Sequence, residues 1–210
     1  MPTEPDLLLF GAGGHAKVVL DALLRLGVQR SAVAVADDDP SLHGTDFLGT
    51  PVGTDASCAA RRFHVAIGSA RARETVHARL LAQGRGAHGV THPSASVSPL
   101  ASLGSGVFVA AQAVVAPAAR LGDGVIVNHG SVVDHDCAVG AFTHVAPRAT
   151  LGGNVTIGRR VLVGAGAIVL PGVSVADDCI IGAGAVVTAS ILAPGTWVGV
   201  PARQLQKEPK

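Results

Sequence analysis

Aromatic side chains are scarce in this sequence: they make up 3% of 210 residues, with five Phe, one Trp and no Tyr. A domain of ordinary composition has more, so a core built on aromatic clusters is excluded and aliphatic packing must carry it. Cysteines number three, an odd count that excludes a closed disulfide framework. Formal charges nearly cancel at +1, which gives no bulk attraction for nucleic acid or for an anionic membrane. No long apolar run suggests a membrane span. The N-terminus places Glu4 and Asp6 before its first apolar run and has no basic start, so no signal peptide is expected and the location expected is cytoplasmic.

What is present is glycine, 27 of it, within a chain that is 48% hydrophobic, and from Val97 onward the two follow a rule of six. Every sixth residue is aliphatic for sixteen hexads: Val97, Leu103, Val109, Val115, Leu121 and so on through Ile181 and Val187. Four residues after each, the side chain is small or aliphatic, among them Ala113, Val125, Ser131, Cys137, Thr143 and Cys179. A period of six fits neither a helix nor a flat strand and marks a solenoid. The reading is a parallel β-helix in which three hexads make one triangular turn, residues 18 apart stack, and the recurrent aliphatics fill the axis. Cys137 and Cys179 then become small core residues, and the corners are expected to favour glycine; Cys58 lies in a connector. The pattern lapses at Ala193-Pro194-Gly195, Trp197 to Arg203 closes the last turn, and the polar final residues are expected to fray.

Upstream, periodicity alternates between strand and helix. Leu7 to Phe10 reads as a strand, Gly11-Ala12-Gly13-Gly14-His15-Ala16 as a turn, and Val18, Val19, Ala22, Leu23 and Leu26 as a helix ending near Gly27. Ala32 to Ala36 and Phe63 to Ile67 read as further strands. A second helix runs to about Gln83, with Ala72, Val76 and Leu80 on one face, and a fourth strand is expected near His88 to Thr91. These signals define a small α/β domain over 1–91, a Rossmann-like βαβ unit, followed by the β-helix domain over 92–210.

Gly11, Gly13 and Ala16 satisfy the G-x-G-x-x-G/A fingerprint, and Asp37 lies where an acidic side chain can meet a ribose hydroxyl. Glycines there let backbone N–H groups approach a pyrophosphate at a helix N-terminus. Fewer than 100 residues before the solenoid provide only half a dinucleotide fold, which favours a mononucleotide-linked ligand over NAD. A glycine turn in a purely structural βα unit is the alternative.

The residue before each aliphatic position sorts by the 18-residue stack into three faces. Phe108, Ile126, His144, Leu162 and Ile180 form an apolar face, and Val114, Val132, Thr150, Ile168 and Val186 a second; Ser102, Arg120, Ala138, Thr156 and Ser174 form a polar one. Apolar outer faces of this extent are expected to pack on copies of the chain, and a prism burying two of three faces closes into a homotrimer. The corner column Ala111, His129, Pro147, Ala165, Ala183 would then point at the threefold axis, with His129 structural. His135 of one subunit is expected to approach His144 of another. His135, flanked by Asp134 and Asp136, is the candidate catalytic base.

Asp134-His135-Asp136-Cys137, His144, Gly152-Gly153-Asn154-Val155, the N-terminal Phe10 to His15 and the closing Gly199-Val200-Pro201-Ala202-Arg203 together resemble the hexapeptide-repeat sugar acetyltransferases of the bacillosamine-pathway, perosamine and sialic-acid type. The resemblance covers nearly the whole chain. It implies a left-handed β-helix trimer with active sites between subunits, acetyl-CoA as donor and co-substrate, and no metal. It also implies a nucleotide sugar held by the N-terminal domain, acetylated on a 4-amino group for a cell-surface glycan. By the same resemblance His135 is the base and Asp136 its supporting carboxylate, Glu in the bacillosamine-pathway member. Asn128, His144 and the Gly153 amide contact the thioester, and Gly13, Gly14, His15, Asp37, Asp38 and Gly68 the nucleotide sugar. Gly153 lies one turn from His135, so its amide could face the oxygen of a tetrahedral intermediate. Other readings are a sugar or sialic acid O-acetyltransferase, a γ-carbonic-anhydrase-like zinc enzyme, and a non-catalytic nucleotide-sugar sensor. The motifs name neither nucleobase nor sugar.

Overall fold

The computed structural model describes residues 5–206; Glu4 and the polar end of the chain lie outside them. Two compact units divide between Pro93 and Ser94. Among the described residues no helix is long and apolar enough to cross a membrane.

In the first unit, β1 (Leu7–Phe10) is buried at all four residues. Such a run suits the centre of a parallel sheet covered on both faces. It pairs in parallel with β2 (Val33–Ala36) on one side and β4 (Arg62–Val65) on the other. The two-residue strands β3 (Val52–Gly53) and β5 (Gly86–Ala87) complete the order β3-β2-β1-β4-β5. β3 carries no periodic signal, being only two residues long, and the fourth strand expected near His88 to Thr91 falls earlier, at β5, while Val90–Thr91 forms a separate short strand, β6, that is not part of this sheet. The order reverses between β1 and β4, so a crevice opens beyond their carboxyl ends.

Two helices serve this sheet, α1 (Gly14–Arg25) and α2 (Ala70–Ala82). α1 buries Ala16, Val19, Leu20, Ala22 and Leu23 at helical spacing. α2 departs from expectation: Ala72 is exposed, and the face beside Val76 and Leu80 is completed by Arg73 and His77. Arg73 is 1% exposed. Burial lowers its pKa to about 10, still far above neutrality, so it stays charged.

The second unit is the β-helix. Sixteen two-residue strands recur every six residues, from β7 (Ser96–Val97) to β22 (Val186–Val187). Partners are 18 apart, as in Val114↔Val132, Ile126↔His144 and Arg120↔Ala138, and the three sheets carry the three columns read from the sequence. β23 (Thr196–Val198) and the antiparallel β24 (Arg203–Gln204) close the stack. The coil is a left-handed parallel β-helix. Its axis is filled by the hexad aliphatics, with Cys137, Cys179 and Ala149 at 0% exposure. Two inward positions are polar and satisfied: the Ser131 hydroxyl donates to the Asn128 carbonyl at 2.6 Å, and that of Thr143 to the Gly158 carbonyl at 2.8 Å.

The corners differ from the glycine expectation. From Gly106 to Gly184 every sixth residue has positive φ, and eight of these are not glycine: Gln112, Ala118, Asp136, Phe142, Arg148, Asn154, Arg160 and Asp178. That conformation costs roughly 1–2 kcal/mol for a residue with a Cβ. A corner ladder offsets it: Asp136 N–H donates to the Pro117 carbonyl, Arg148 to His129 and Asn154 to His135, at 2.8–3.1 Å.

The first apolar face is smaller than expected. Phe108 and Ile126 are already buried within the single chain, at 0% and 1% exposure, so they are not free to meet another copy. Leu162 and Ile180 of that column, with Ile168 of the second, stay exposed at 37%, 45% and 41%.

Candidate functional site

The corner after β13 (Val132–Val133) carries Asp134, His135 and Asp136. Three hydrogen bonds clamp the His135 backbone. Its N–H donates to Asp134 Oδ1 at 2.7 Å, its carbonyl accepts from Asn154 N–H at 2.8 Å, and the next amide, Asp136, bonds the Pro117 carbonyl. The left-handed φ of +60° at Asp136 turns its carboxylate back, and Oδ2 lies 2.8 Å from His135 Nδ1. With the ring proton on Nδ1 directed at Asp136, Nε2 holds the free lone pair. The Asp136 hydrogen bond, then the charge of Asp134, raises the His135 pKa above its ordinary value. The ring is exposed to solvent.

One turn on, Gly153 lies under that ring. A Cβ at Gly153 would stand 2.6 Å from both Cε1 and Nε2 of His135. At the His135 turn the side chain of Asp134 caps the following amide; at the next turn Gly152 has no side chain, and among the described residues the Gly153 N–H meets no acceptor. A general base and an open backbone donor are thus stacked at one corner.

Asn128 and His144 form a second pair. Asn128 Nδ2 lies 3.0 Å from His144 Nε2, while Asn128 Oδ1 accepts the His129 N–H at 2.8 Å. The amide is oriented at both ends, so His144 Nε2 is an acceptor and its proton sits on Nδ1. His129 itself is exposed.

In the first unit the glycine turn is built by close approach. At φ +112°, Gly11 would put a Cβ 2.9 Å from the Ala66 carbonyl oxygen, and its N–H donates to Ala36 at 2.7 Å. Gly13 caps α1 without a side chain, His15 is the second helical residue, and a Cβ on Gly13, Gly14 or Gly68 would meet nothing within 4 Å. The helix N-terminus is therefore open, a site that suits a phosphate. Asp37 does reach the turn: Oδ2 accepts the Ala12 N–H at 2.8 Å and Oδ1 that of Asp39 at 3.0 Å. Asp38 turns elsewhere, into a forked ion pair with Arg79 at 2.9 and 3.0 Å; that guanidinium lies 5.0 Å over the Phe10 ring. The sequence reading missed Arg73, which donates from Nη1 to the Ile67 and Gly68 carbonyls at 2.7 and 2.9 Å and so fixes the Gly68 loop. An arginine three residues before Val76, on the helix's apolar face, was the available signal.

Among the described residues no three His, Cys, Asp or Glu side chains gather to hold a metal within the chain. The β-helix with a carboxylate-paired histidine, preceded by a glycine-turn α/β domain, defines the class as a hexapeptide-repeat acyltransferase. The family model of the PglD N-terminal domain matches residues 6–80, and that of the bacterial transferase hexapeptide (six repeats) matches residues 154–189. PerB from Caulobacter crescentus, solved with CoA and GDP-perosamine, is 38% identical over 97% of this chain and 99% of its own, with a TM-score of 0.90. The acetyltransferase domain of PglB from Neisseria gonorrhoeae is 37% identical over 95% and 98%, with a TM-score of 0.88. The same domain in complex with acetyl coenzyme A is 36% identical over 97% and 100%, again at 0.88. Comparison with curated proteins finds no match. The chain belongs to the hexapeptide-repeat sugar acetyltransferase family.

Proposed function

We propose that this protein moves the acetyl group of acetyl-CoA onto the amino group of a nucleotide-linked 4-amino-deoxy sugar, as a homotrimer with its active sites in the seams. The observation that carries the reading is the His135 ring, held by Asp136 at 2.8 Å with Nε2 over Gly153. The relatives solved with CoA and GDP-perosamine or with acetyl coenzyme A support it. In the mechanism, the amine nitrogen attacks the thioester carbonyl while His135 Nε2 removes its proton, so the nitrogen does not build up positive charge. The carbonyl electron pair moves onto oxygen, where the Gly153 N–H meets it. Collapse re-forms the carbonyl and expels the CoA thiolate, which takes the proton from His135. Asn128 and His144 of the adjoining subunit would orient the thioester, which is why a lone prism would be inactive. Gly13, Gly14, His15 and Gly68 would hold the nucleotide sugar, with Asp37 ordering the turn. Asp38 serves the same end more remotely, through Arg79. The reading carries a cytoplasmic location, where acetyl-CoA and nucleotide sugars are both available.

The test is release of CoA thiol from acetyl-CoA with UDP-, GDP- and dTDP-linked 4-amino sugars and with free sialic acid as acceptors. Turnover is expected with a nucleotide-linked amino sugar, falling about 10²-fold or more in His135→Ala. No turnover with any amino sugar, or full activity in that variant, defeats the reading.

A further inference from the structure

Beside the glycine turn, within the first unit, lies a cavity of about 280 Å³ lined by Ala12, Lys17, Leu42, Asp46, Phe47 and Leu48. It is at or below the small end of ligand pockets, roughly 300–1,000 Å³, so it suits one planar fragment rather than a whole nucleotide sugar. We infer that this cavity is the base subsite and that its carboxylate and ammonium select guanine. This rests on the nucleotide-sugar reading above and deepens it by naming the base.

The cavity is a built one. The loop that walls it, between β2 and β3, is tied to Asp37 by His43 Nε2 at 2.8 Å from the Asp37 carbonyl. Arg30 Nη2 donates to the Phe47 carbonyl at 2.5 Å, and Phe47 and Thr50 exchange backbone hydrogen bonds at 2.8 and 3.1 Å. Phe47 is 5% exposed. The Asp46 carboxylate accepts the Gly49 N–H at 3.0 and 3.1 Å, which sets the carboxylate while leaving lone pairs on both oxygens. Across from the loop, Lys17 stands on the exposed side of the first turns of α1, and among the described residues no carboxylate pairs with it; Asp21 pairs with Arg25 instead. At the rim Leu48 is 54% exposed with φ +49°, an apolar surface that a flat ring would cover.

The chain of contacts follows the ligand's own order. A pyrophosphate over the bare N-terminus of α1 puts the ribose toward the end of β2, and Ala12, whose N–H is held by Asp37, forms the near wall of the cavity. Guanine offers N1–H and the N2 amine side by side, with the O6 acceptor next to them. A carboxylate can accept from the first two and an ammonium can donate to the third. Uracil and thymine present a single N–H between two carbonyls and have no amine, so a carboxylate there would oppose carbonyl oxygen.

Calorimetric titration of the full-length protein with GDP, UDP and dTDP tests this. GDP is expected to bind about tenfold or more tightly than the others, and Asp46→Asn and Lys17→Met each to weaken GDP about tenfold while moving UDP and dTDP little. Asp46→Asn keeps an oxygen for the Gly49 amide and Lys17 is on an exposed helix face, so both variants should fold, which thermal melts verify. Equal affinity for the three nucleotides, or GDP binding unchanged in both variants of a protein that still transfers acetyl, overturns the subsite and leaves the transferase reading standing. If none of the three nucleotides binds, both readings fall.

Discussion

The imidazole of His135 rests on the α-carbon of Gly153, 18 residues and one turn along the β-helix, so closely that a single methyl group there would lie 2.6 Å from Nε2. Gly153 is outside the positive-φ set, so alanine suits its backbone and only the imidazole has to move. Gly153→Ala should therefore lower kcat by about 10²-fold, since misplacing a reacting group by about 1 Å costs that much. Its melting temperature should stay close to wild type, because His135 is solvent-exposed and carries no core packing. Steady-state kinetics beside a thermal melt checks both; wild-type kcat would mean that the ring does not act from this position.

Asp136 sets when that ring is a base. Its hydrogen bond is the largest cause raising the His135 pKa, ahead of the charge of Asp134. The deprotonated ring is the active form, so kcat/KM should rise with pH to a plateau, and the acidic limb should lie above the pH of an unperturbed histidine, about 6.5. Asp136→Asn removes the charge and much of the raising. Its acidic limb should move toward lower pH while the plateau falls, the base being weaker. A limb that does not move would remove Asp136 from this role.

The periodic part of the molecule was legible because each hexad states its own structure. Val145, Leu151 and Ile157 say inward regardless of what the rest of the chain does, and all three lie within 2% of full burial. His135 and Gly153 could be stacked on paper because the solenoid has no insertion between them. What could not be read was whatever depends on a neighbour outside the period. Phe108 and Ile126 occupy outward positions yet are buried in the single chain, and hexad spacing carries no information on what covers an outward side chain. β3 is two residues long and declares no alternation. The Asp38–Arg79 ion pair spans 41 residues, and no local spacing announces it.

Thr143 shows where the hexad rule misleads. By column it could be valine, as Val125 and Val161 are on either side of it. In the structure its hydroxyl donates to the Gly158 carbonyl at 2.8 Å and accepts the Val161 N–H at 3.0 Å, at 0% exposure. Thr143→Val keeps the shape but leaves both backbone groups without that partner in an interior closed to water. A loss of about 1–3 kcal/mol is expected, read as a lower urea midpoint at unchanged m-value. A variant as stable as wild type would mean that the β-helix relaxes to satisfy both groups elsewhere.

Acid should weaken the first unit through His64. It is fully buried on β4, Nδ1 donates to the His88 carbonyl at 2.8 Å, and its pKa is lowered to about 4. Burial is the main cause; the His88 hydrogen bond opposes it, and the charges of His88, Arg73 and His77 add to it. In the unfolded chain the same group titrates near 6.5. Between these values the unfolded state holds a proton that the folded state does not, so stability from this residue is complete above about pH 6.5 and is lost progressively down to about pH 4, by about 3 kcal/mol in all. His64→Gln can keep a donor to the His88 carbonyl but has no titration. Its unfolding free energy should start below wild type at pH 7.5 and decline less steeply between pH 6.5 and 4, so that the two curves converge on the acid side. Parallel curves across that window would show that His64 does not couple folding of this domain to pH.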